Sequence, residues 1–203
     1  QALSKQLIGF WRIIIMLENK KLHLGCGKRK IHGYINIDGC KDVQPDMVAD
    51  CRLLPKFQDN TIQTIYACHV FEHFKPSEAQ GILRRWFDLL VPGGILRLSV
   101  PDFEAISKYY LLNKDLSCLQ HLLYGDQKDD FNYHYVGYDE TTLTRLLNSV
   151  GFYGVKRYDW RDTEHFYVDD YSQCYLPEIA YTTRRANGKI KGQLVSLNLE
   201  AQK

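Results

Sequence analysis

Short apolar runs alternate with amphipathic stretches along most of the chain. Seven of these runs are predicted as strands: Lys21–Leu24, Tyr34–Ile37, Met47–Ala49, Thr61–Cys68, Ile95–Val100, Gly154–Tyr158 and Leu194–Ala201. Between the fourth and fifth runs, apolar residues recur at helical spacing from Pro76 onward, until Pro92-Gly93-Gly94 ends the helix. A second helix is predicted over 139–150, since Asp139 can cap its start and Gly151 its end. Strands that alternate with helices predict a doubly wound α/β fold with a mostly parallel sheet.

The length of the chain and the lack of repeats or low-complexity linkers indicate one domain over residues 1–203. Residues 1–19 are predicted to form an N-terminal helix. Its apolar run over 7–17 contains Arg12 and is shorter than the about 20 residues that span a bilayer. We interpret it as an amphipathic helix packed on the domain, with peripheral contact to a membrane or a partner as the alternative.

Composition and charge narrow the class of protein. Apolar residues make up 45% and charged residues 25% of the chain, as in ordinary globular proteins. The formal net charge is only +2 and no long basic run is present, so no nucleic-acid partner is expected. The six cysteines are scattered without a C-x-x-C pair. We therefore expect reduced thiols, a cytoplasmic location and no metal site.

Glycines or polar residues follow most of the predicted strands: Gly25-Cys26-Gly27, Asp38, Asp50, His69 and Asp102. In sheets of this class, ligands bind outside the carboxyl ends of the strands. The glycines can let a ligand approach the backbone. A dinucleotide fingerprint would need a small residue where Lys30 stands and an acid about 20 residues on, whereas Asp38 comes thirteen positions after Gly25. A nucleoside without phosphates fits this spacing better.

Each aspartate at a strand end has two interpretations. Asp38 can accept hydrogen bonds from both hydroxyls of a ribose, or it can be a turn carboxylate beside Gly39. Asp50 can reach an adenine amino group, with the backbone around Cys51 forming the same wall, or it can cap a turn. The sequence alone leaves these alternatives open.

Five ordered motifs resemble those of class I S-adenosylmethionine-dependent methyltransferases, most closely the small type 11 branch. They are Leu22-His23-Leu24-Gly25-Cys26-Gly27, Asn36-Ile37-Asp38, Val48-Ala49-Asp50 followed by Leu54-Pro55, His69-Val70-Phe71-Glu72-His73, and Leu90-Val91-Pro92-Gly93-Gly94. The resemblance covers residues 20–100 strongly and 142–152 more weakly. It implies a seven-stranded, mostly parallel sheet with an antiparallel last strand, and S-adenosylmethionine as cofactor.

The resemblance also implies the residues that hold the cofactor. The first strand end, Leu24, Gly25, Cys26 and Gly27, would meet the methionine and ribose, and Asp38 would bind the ribose. Asp50 and Cys51 would lie at the adenine, and His69 would line the same site. Two departures from the family pattern affect the scaffolding of this site: His23 stands where an acid is common, and Gln63 stands where an aspartate is common.

The segment His69-Val70-Phe71-Glu72-His73 also matches H-x-x-E-H, an inverted zinc-protease pattern. A zinc-dependent hydrolase with Glu72 as base is therefore an alternative function. That class needs a helix through both histidines and a third ligand from elsewhere, whereas the motif here directly follows a predicted strand. A non-catalytic fold relative that binds a nucleoside is the third hypothesis.

Methyl transfer requires an aligned acceptor and, for a hydroxyl acceptor, removal of its proton. His73 and His134 are the leading candidates for that base, with Asp102 as an orienting carboxylate. The tyrosine-rich segment 101–138 and the segment 161–193 are predicted to cover the acceptor. We expect a small-molecule or saccharide acceptor, methylated at oxygen or nitrogen.

Overall fold

The structure is a computed structural model that describes residues 20–129, 131–176 and 192–203. The predicted helix over 1–19, with its apolar run over 7–17, lies outside the described residues. No helix in the described part of the chain is both long and apolar enough to cross a membrane.

In the described residues the strands are β1 Lys20–Leu24, β2 Ile35–Asp38, β3 Met47–Val48, β4 Ile62–Cys68, β5 Leu90–Pro101, β6 Tyr153–Arg157, β7 Tyr175–Leu176, β8 Gln193–Leu194 and β9 Ser196–Gln202. Seven of them form one sheet with the order β3-β2-β1-β4-β5-β9-β6. Strands β1 to β5 pair in parallel, and β9 runs antiparallel between β5 and β6. The predicted fold class is confirmed, while the short pair β7–β8 was not predicted.

Strand β5 begins five residues earlier than the sequence predicts. Leu90 pairs with Ile62 in β4, and the next register pair joins Ile95 to Thr64, so 91–94 form a bulge rather than a loop. Gly93 has a φ of +76° and donates its N–H to the carbonyl of Lys203 at 2.8 Å. Pro92-Gly93-Gly94 therefore follows the end of the helix, but it lies inside strand β5 rather than before it.

Four α-helices are described: α1 Pro76–Leu89, α2 Phe103–Asn113, α3 Gln120–Tyr124 and α4 Glu140–Val150. Helices α1 and α4 were predicted, and their ends follow the expected chemistry. The Asp139 carboxylate accepts the N–H of Thr142 at 2.7 Å, and Gly151 ends α4 with a φ of +116°. Helices α2 and α3 lie in the segment 101–138, where the sequence shows no clean period.

The two faces of the sheet are covered differently. One face is apolar and packs against α1 and α4, with Trp86 fully buried between them and the sheet. The other face is polar and is covered by residues 158–174. There, the ring of His165 lies 4.2 Å from that of Tyr66, whose hydroxyl donates to Asp170 at 2.7 Å. The described part of the predicted cover 161–193 thus packs mainly on a sheet face rather than above the strand ends.

Glu164 ties this covering segment to the sheet. Its carboxylate accepts hydrogen bonds from Lys21 at 2.8 Å, Tyr34 at 2.7 Å and Arg97 at 2.6 Å. Burial alone would raise the pKa of Glu164, but the three donors outweigh it and hold the pKa below the ordinary value of 4.5. This group therefore stabilises the folded state above about pH 4.5, and its contribution falls as the pH drops through the folded pKa.

We expect Glu164→Gln to lower the free energy of unfolding at pH 7 by about 1 kcal/mol, a small value because the side chain is 40% exposed. Thermal unfolding measured between pH 2 and pH 8 checks this. The difference from wild type should narrow as the pH falls below 4.5. The control Glu104→Gln removes an exposed pair with Lys108 on α2 and should change little. A pH-independent difference for Glu164→Gln would contradict the account.

Candidate active site at the carboxyl ends of the strands

The ends of the first three strands converge through backbone and carboxylate hydrogen bonds. Cys26 donates its N–H to the carbonyl of Ile37 at 3.1 Å, which joins the turn after β1 to β2. Gly27 donates its N–H to Oδ2 of Asp38 at 2.8 Å. Ala49, after β3, donates to the carbonyl of Asp38 at 3.0 Å. Asp38 is thus the hub where the three ends meet.

The two glycines after β1 serve different purposes. Both have positive φ, +61° at Gly25 and +51° at Gly27, a region that favours glycine. A Cβ on Gly25 would lie 2.2 Å from Cγ2 of Val70, whereas a Cβ on Gly27 would meet no atom within 4 Å. The Cβ side of Gly25 therefore makes room for Val70 in the loop after β4, and a cofactor contact to the Gly25 backbone stays a prediction. Open space is found at Gly27.

The Asp38 carboxylate can accept further hydrogen bonds. Its Oδ2 accepts the N–H of Gly27, and its Oδ1 accepts the N–H of Cys40 at 2.8 Å. Each carboxylate oxygen carries two lone pairs, so one remains on each oxygen. The half-buried carboxylate beside the open face of Gly27 therefore suits a ribose with two neighbouring hydroxyls. Leu24 is fully buried, so only its backbone can face a ligand.

Asp50 and Cys51 differ in what they can offer an adenine. The Asp50 carboxylate is exposed and accepts hydrogen bonds from the backbone N–H and the guanidinium of Arg52, which is the turn-capping alternative. Cys51 is buried, with its thiol against the backbone of Gly25, and burial raises its pKa to about 12. Its carbonyl accepts the indole N–H of Trp86 at 2.8 Å. Cys51 is thus a rigid, neutral part of the wall.

His69 begins the loop after β4 in a strained conformation. Its φ is +52°, which costs a non-glycine residue about 1–2 kcal/mol, and such strain often marks functional sites. Its N–H donates to the carbonyl of Ser99 at 2.7 Å, and its Nε2 lies 3.2 Å from Oγ of Ser196. The ring packs 5.1 Å from that of Tyr171. Burial lowers the pKa of His69, so the ring is neutral.

The H-x-x-E-H segment does not form the zinc-protease arrangement. Phe71–His73 is a single 3₁₀ turn, and His69 lies outside it with left-handed backbone. No helix runs through both histidines of the motif, which that class of hydrolase requires. The geometry therefore speaks against the hydrolase alternative.

His73 and His134, 61 residues apart, are in contact. Their ring centroids are 4.7 Å apart and the rings are nearly perpendicular. Nδ1 of His73 lies 3.0 Å from the carbonyl of Tyr133, and Nδ1 of His134 lies 3.0 Å from that of Leu122. Burial lowers the pKa of His73, and burial followed by the proximity of His73 lowers that of His134 to about 4. Both rings are neutral at pH 7.

Glu72 is the site residue that the prediction missed. Its side chain is fully buried, and neither carboxylate oxygen has a hydrogen-bond partner among the described residues. Oε1 lies 3.3 Å from Nδ1 of His69 and 4.0 Å from Nε2 of His134. Burial raises the pKa of Glu72 to about 8. The H-x-x-E-H pattern includes Glu72, but it predicted a role for this residue only in the hydrolase alternative.

Asp102 does not orient the histidines. Its Oδ1 accepts the N–H groups of Glu104 and Ala105 at the start of α2, and its Oδ2 pairs with Arg157 of β6 at 3.1 Å. The proposed orienting role is therefore corrected: Asp102 is a buried helix cap. Glu72 is the carboxylate that lies beside the histidines.

Residues 125–129 and 131–135 belong to the segment predicted to cover the acceptor, and they lie beside the strand ends. Tyr135 donates its N–H to the carbonyl of Glu72 at 2.9 Å, which anchors the loop to the turn after β4. At the loop's tip, a ring atom of Phe131 comes within 3.9 Å of where a Cβ on Gly39 would stand, next to Asp38. Phe131, Tyr133 and Tyr135 are all exposed.

Comparisons with known proteins agree with this geometry. Residues 22–98 match the methyltransferase domain family. Residues 22–98 therefore form part of a methyltransferase domain. A comparison with proteins of curated function finds no match.

Solved structures share the fold of this methyltransferase domain. A SAM-dependent methyltransferase from Archaeoglobus fulgidus matches at 14% identity and a TM-score of 0.54, over 98% of this chain and 94% of its own. One from Mesorhizobium loti matches at 16% identity and a TM-score of 0.52, over 95% of each chain. Phosphoethanolamine N-methyltransferase 2 of Haemonchus contortus, solved with S-adenosylmethionine, matches at 10% identity and a TM-score of 0.50, over 95% of this chain and 52% of its own.

The predicted recognition, enzyme class and cofactor are thereby confirmed: the protein is a methyltransferase that uses S-adenosylmethionine. The confirmation decides against the non-catalytic alternative. It leaves the acceptor and the individual site residues as proposals.

Proposed function

We propose that the methyltransferase acts on an oxygen or nitrogen of a small polar acceptor, with a saccharide as the favoured class. The observation that carries this proposal is the contact between His73 and His134 beside the exposed aromatic residues Phe131, Tyr133 and Tyr135, at the same sheet edge as Asp38. Exposed aromatic faces and phenol hydroxyls suit the apolar faces and hydroxyls of a sugar ring. The near-neutral charge of the chain favours no polyanionic partner.

The cofactor site in this proposal is the convergence of the first three strand ends. The backbone of Gly27 borders the open space, Asp38 accepts the ribose hydroxyls, and Cys51 forms part of the adenine wall. Asp50 is a weaker candidate for a contact with the adenine amino group, because its carboxylate already binds Arg52. His69 lines the site from the β4 side.

Bound S-adenosylmethionine supplies a methyl group that its sulfonium already activates. The protein then has to align the acceptor, exclude water and take up the proton that the acceptor loses. His73 and His134 are neutral and can accept a proton at Nε2, since each Nδ1–H donates to a backbone carbonyl. The aromatic residues Phe131, Tyr133 and Tyr135 hold the acceptor beside them.

A cytoplasmic location is part of the proposal. The six cysteines are scattered along the chain without a C-x-x-C pair, as is usual for proteins of a reducing compartment, and four of them are buried.

A panel of acceptors tests the function. The purified protein is incubated with S-adenosylmethionine and, separately, with free sugars, sugar nucleotides, small amines, phenols, RNA and denatured protein, and formation of S-adenosylhomocysteine is followed. Turnover on a sugar or another small polar hydroxyl or amine is expected. Turnover confined to RNA or protein would contradict the proposal.

Phe131→Ala should raise KM for the acceptor by about 5- to 10-fold, because stacking on one aromatic ring contributes roughly 1 kcal/mol. The affinity for S-adenosylmethionine should stay within twofold. Steady-state kinetics and calorimetry measure the two quantities. The control Tyr153→Ala removes another exposed aromatic residue, from β6, and should change neither. Equal effects of the two substitutions would show that the loop is not the acceptor cover.

A further inference from the structure

A carboxylate and two imidazoles meet next to the proposed acceptor site. Glu72, His73 and His134 each offer one ligand atom, and these atoms all lie within 4.8 Å of one another. Glu72 and His73 belong to the turn after β4, and His134 belongs to the cover segment. A hydrogen bond from the N–H of Tyr135 to the carbonyl of Glu72 joins the two segments. The cluster is therefore built by two separate segments of the chain.

Both imidazoles are held as metal ligands usually are. A backbone carbonyl only accepts hydrogen bonds, so Nδ1 of His73 and Nδ1 of His134 carry the proton. The lone pair of each ring is thereby left on Nε2. In metal sites the non-ligating nitrogen of a histidine almost always donates to a carbonyl, a carboxylate or water, which fixes the ring and its tautomer.

Glu72 supplies an independent sign of a missing partner. A fully buried carboxylate with two unpaired oxygens is costly unless a hydrogen bond or a cation compensates it. In the described part of the chain, its ion-pair neighbours are only His69 and His134, at 3.3 and 4.0 Å, with no lysine or arginine. A cation between Glu72 and the histidines would satisfy the carboxylate.

The spacing fits a small divalent ion after a modest adjustment. Ligand atoms about 2.0–2.1 Å from a tetrahedral zinc ion are roughly 3.4 Å apart. Oε1 of Glu72 and Nε2 of His134 are 4.0 Å apart, and the three ligand atoms all lie within 4.8 Å of one another, so the side chains must approach by up to about 1.4 Å. Two imidazoles and one carboxylate suit zinc and neighbouring transition metals better than magnesium or calcium, which prefer oxygen ligands.

We propose that Glu72, His73 and His134 bind one divalent transition-metal ion of the zinc type. Three protein ligands leave a coordination position open, and the metal would hold the acceptor oxygen there, beside the cofactor site. In the metal-bound protein the Nε2 lone pairs of both histidines are ligands, so the histidines do not accept the proton; the metal instead lowers the pKa of the bound hydroxyl, which releases its proton to water. This second part rests on the proposed function. The site differs from the hydrolase alternative, which needs His69 as a ligand, and it departs from the sequence-based expectation of no metal.

Direct metal binding is the test. The protein is stripped with a chelator and titrated with Zn²⁺ in a calorimeter, and one ion per chain is expected. Loss of a residue that hydrogen-bonds to a metal ligand weakens metal binding by up to about 100-fold. Glu72→Gln and His134→Ala remove a ligand itself, so each should weaken Zn²⁺ binding by at least that factor. The matched control His32→Asn removes an exposed imidazole on the β1–β2 connection and should bind Zn²⁺ as wild type does.

Co²⁺ keeps the proposal testable if a variant fails to fold. Wild-type protein loaded with Co²⁺ should show visible d–d absorption without a thiolate charge-transfer band, because the ligands are nitrogen and oxygen. A thiolate band would place the metal on the cysteines instead. No uptake of Zn²⁺ or Co²⁺ by the wild-type protein would overturn the proposal.

The same stripped protein is titrated with S-adenosylmethionine. Cofactor binding without any metal uptake would overturn the metal site and leave the proposed function intact. Metal uptake without cofactor binding would support the metal site and contradict the proposed function. We expect the stripped protein to lose turnover and Zn²⁺ or Co²⁺ to restore it. If the stripped protein methylates its acceptor at the full rate, the metal does not hold the acceptor oxygen.

Discussion

Asp38→Ala will weaken the binding of S-adenosylmethionine by roughly 100- to 10,000-fold. Two hydrogen bonds from ribose hydroxyls to a charged carboxylate contribute about 1.5–3 kcal/mol each. The substitution also removes the acceptor for the N–H groups of Gly27 and Cys40, so the turn that borders the site loses its anchor. Calorimetric titration with S-adenosylmethionine and with S-adenosylhomocysteine measures the effect.

The control for this prediction is Asp42→Ala. Asp42 is an exposed carboxylate four residues further along, in the 3₁₀ turn Lys41–Val43, so the variant carries the same change in net charge. Its affinity for the cofactor should match that of wild type. If both variants bind the cofactor equally well, Asp38 is only a turn carboxylate and the ribose assignment fails.

Gly25→Ala will lower the free energy of unfolding by about 2–5 kcal/mol. Left-handed backbone at a φ of +61° costs an alanine about 1–2 kcal/mol. The new Cβ would also stand 2.2 Å from Cγ2 of Val70, and such overpacking typically costs about 1–3 kcal/mol. The melting temperature of a chain of this size should fall by roughly 5–15 °C.

The neighbouring glycine provides the matched control. Gly27 has nearly the same backbone, with a φ of +51°, but its Cβ position is open, so Gly27→Ala should cost only the strain of about 1–2 kcal/mol. Adding Val70→Ala to Gly25→Ala should recover part of the lost stability, because the clash is with that side chain. Equal melting temperatures for the two single alanine variants would contradict the assigned roles.

The fold could be predicted because its signals are local. Alternating apolar positions gave the strands, and the capping residues Asp139 and Gly151 gave the ends of α4. The early start of β5 could not be predicted, because its bulge depends on pairing with residues more than 20 positions away and on the C-terminal Lys203. Helix α2 was missed because its apolar residues lack a clean period.

The site was predicted less evenly than the fold. His73 and His134 were chosen by residue type, and the structure brings them into contact. Asp102 was predicted to orient the histidines but caps α2, and Glu72 was predicted a role only as the base of the hydrolase alternative, since a carboxylate near a strand end can be either a helix cap or a site residue. Only the position of α2 and the buried, unpaired state of Glu72 separate the two roles.

A crystal structure with S-adenosylhomocysteine bound tests the central claim most directly, which is that the first three strand ends together hold the adenosine. We predict both ribose hydroxyls within hydrogen-bond distance of Asp38, the backbone of Gly27 against the ligand and the adenine beside Cys51. A ligand seated elsewhere on the molecule, with the Asp38 carboxylate bound only to Gly27 and Cys40, would contradict the account.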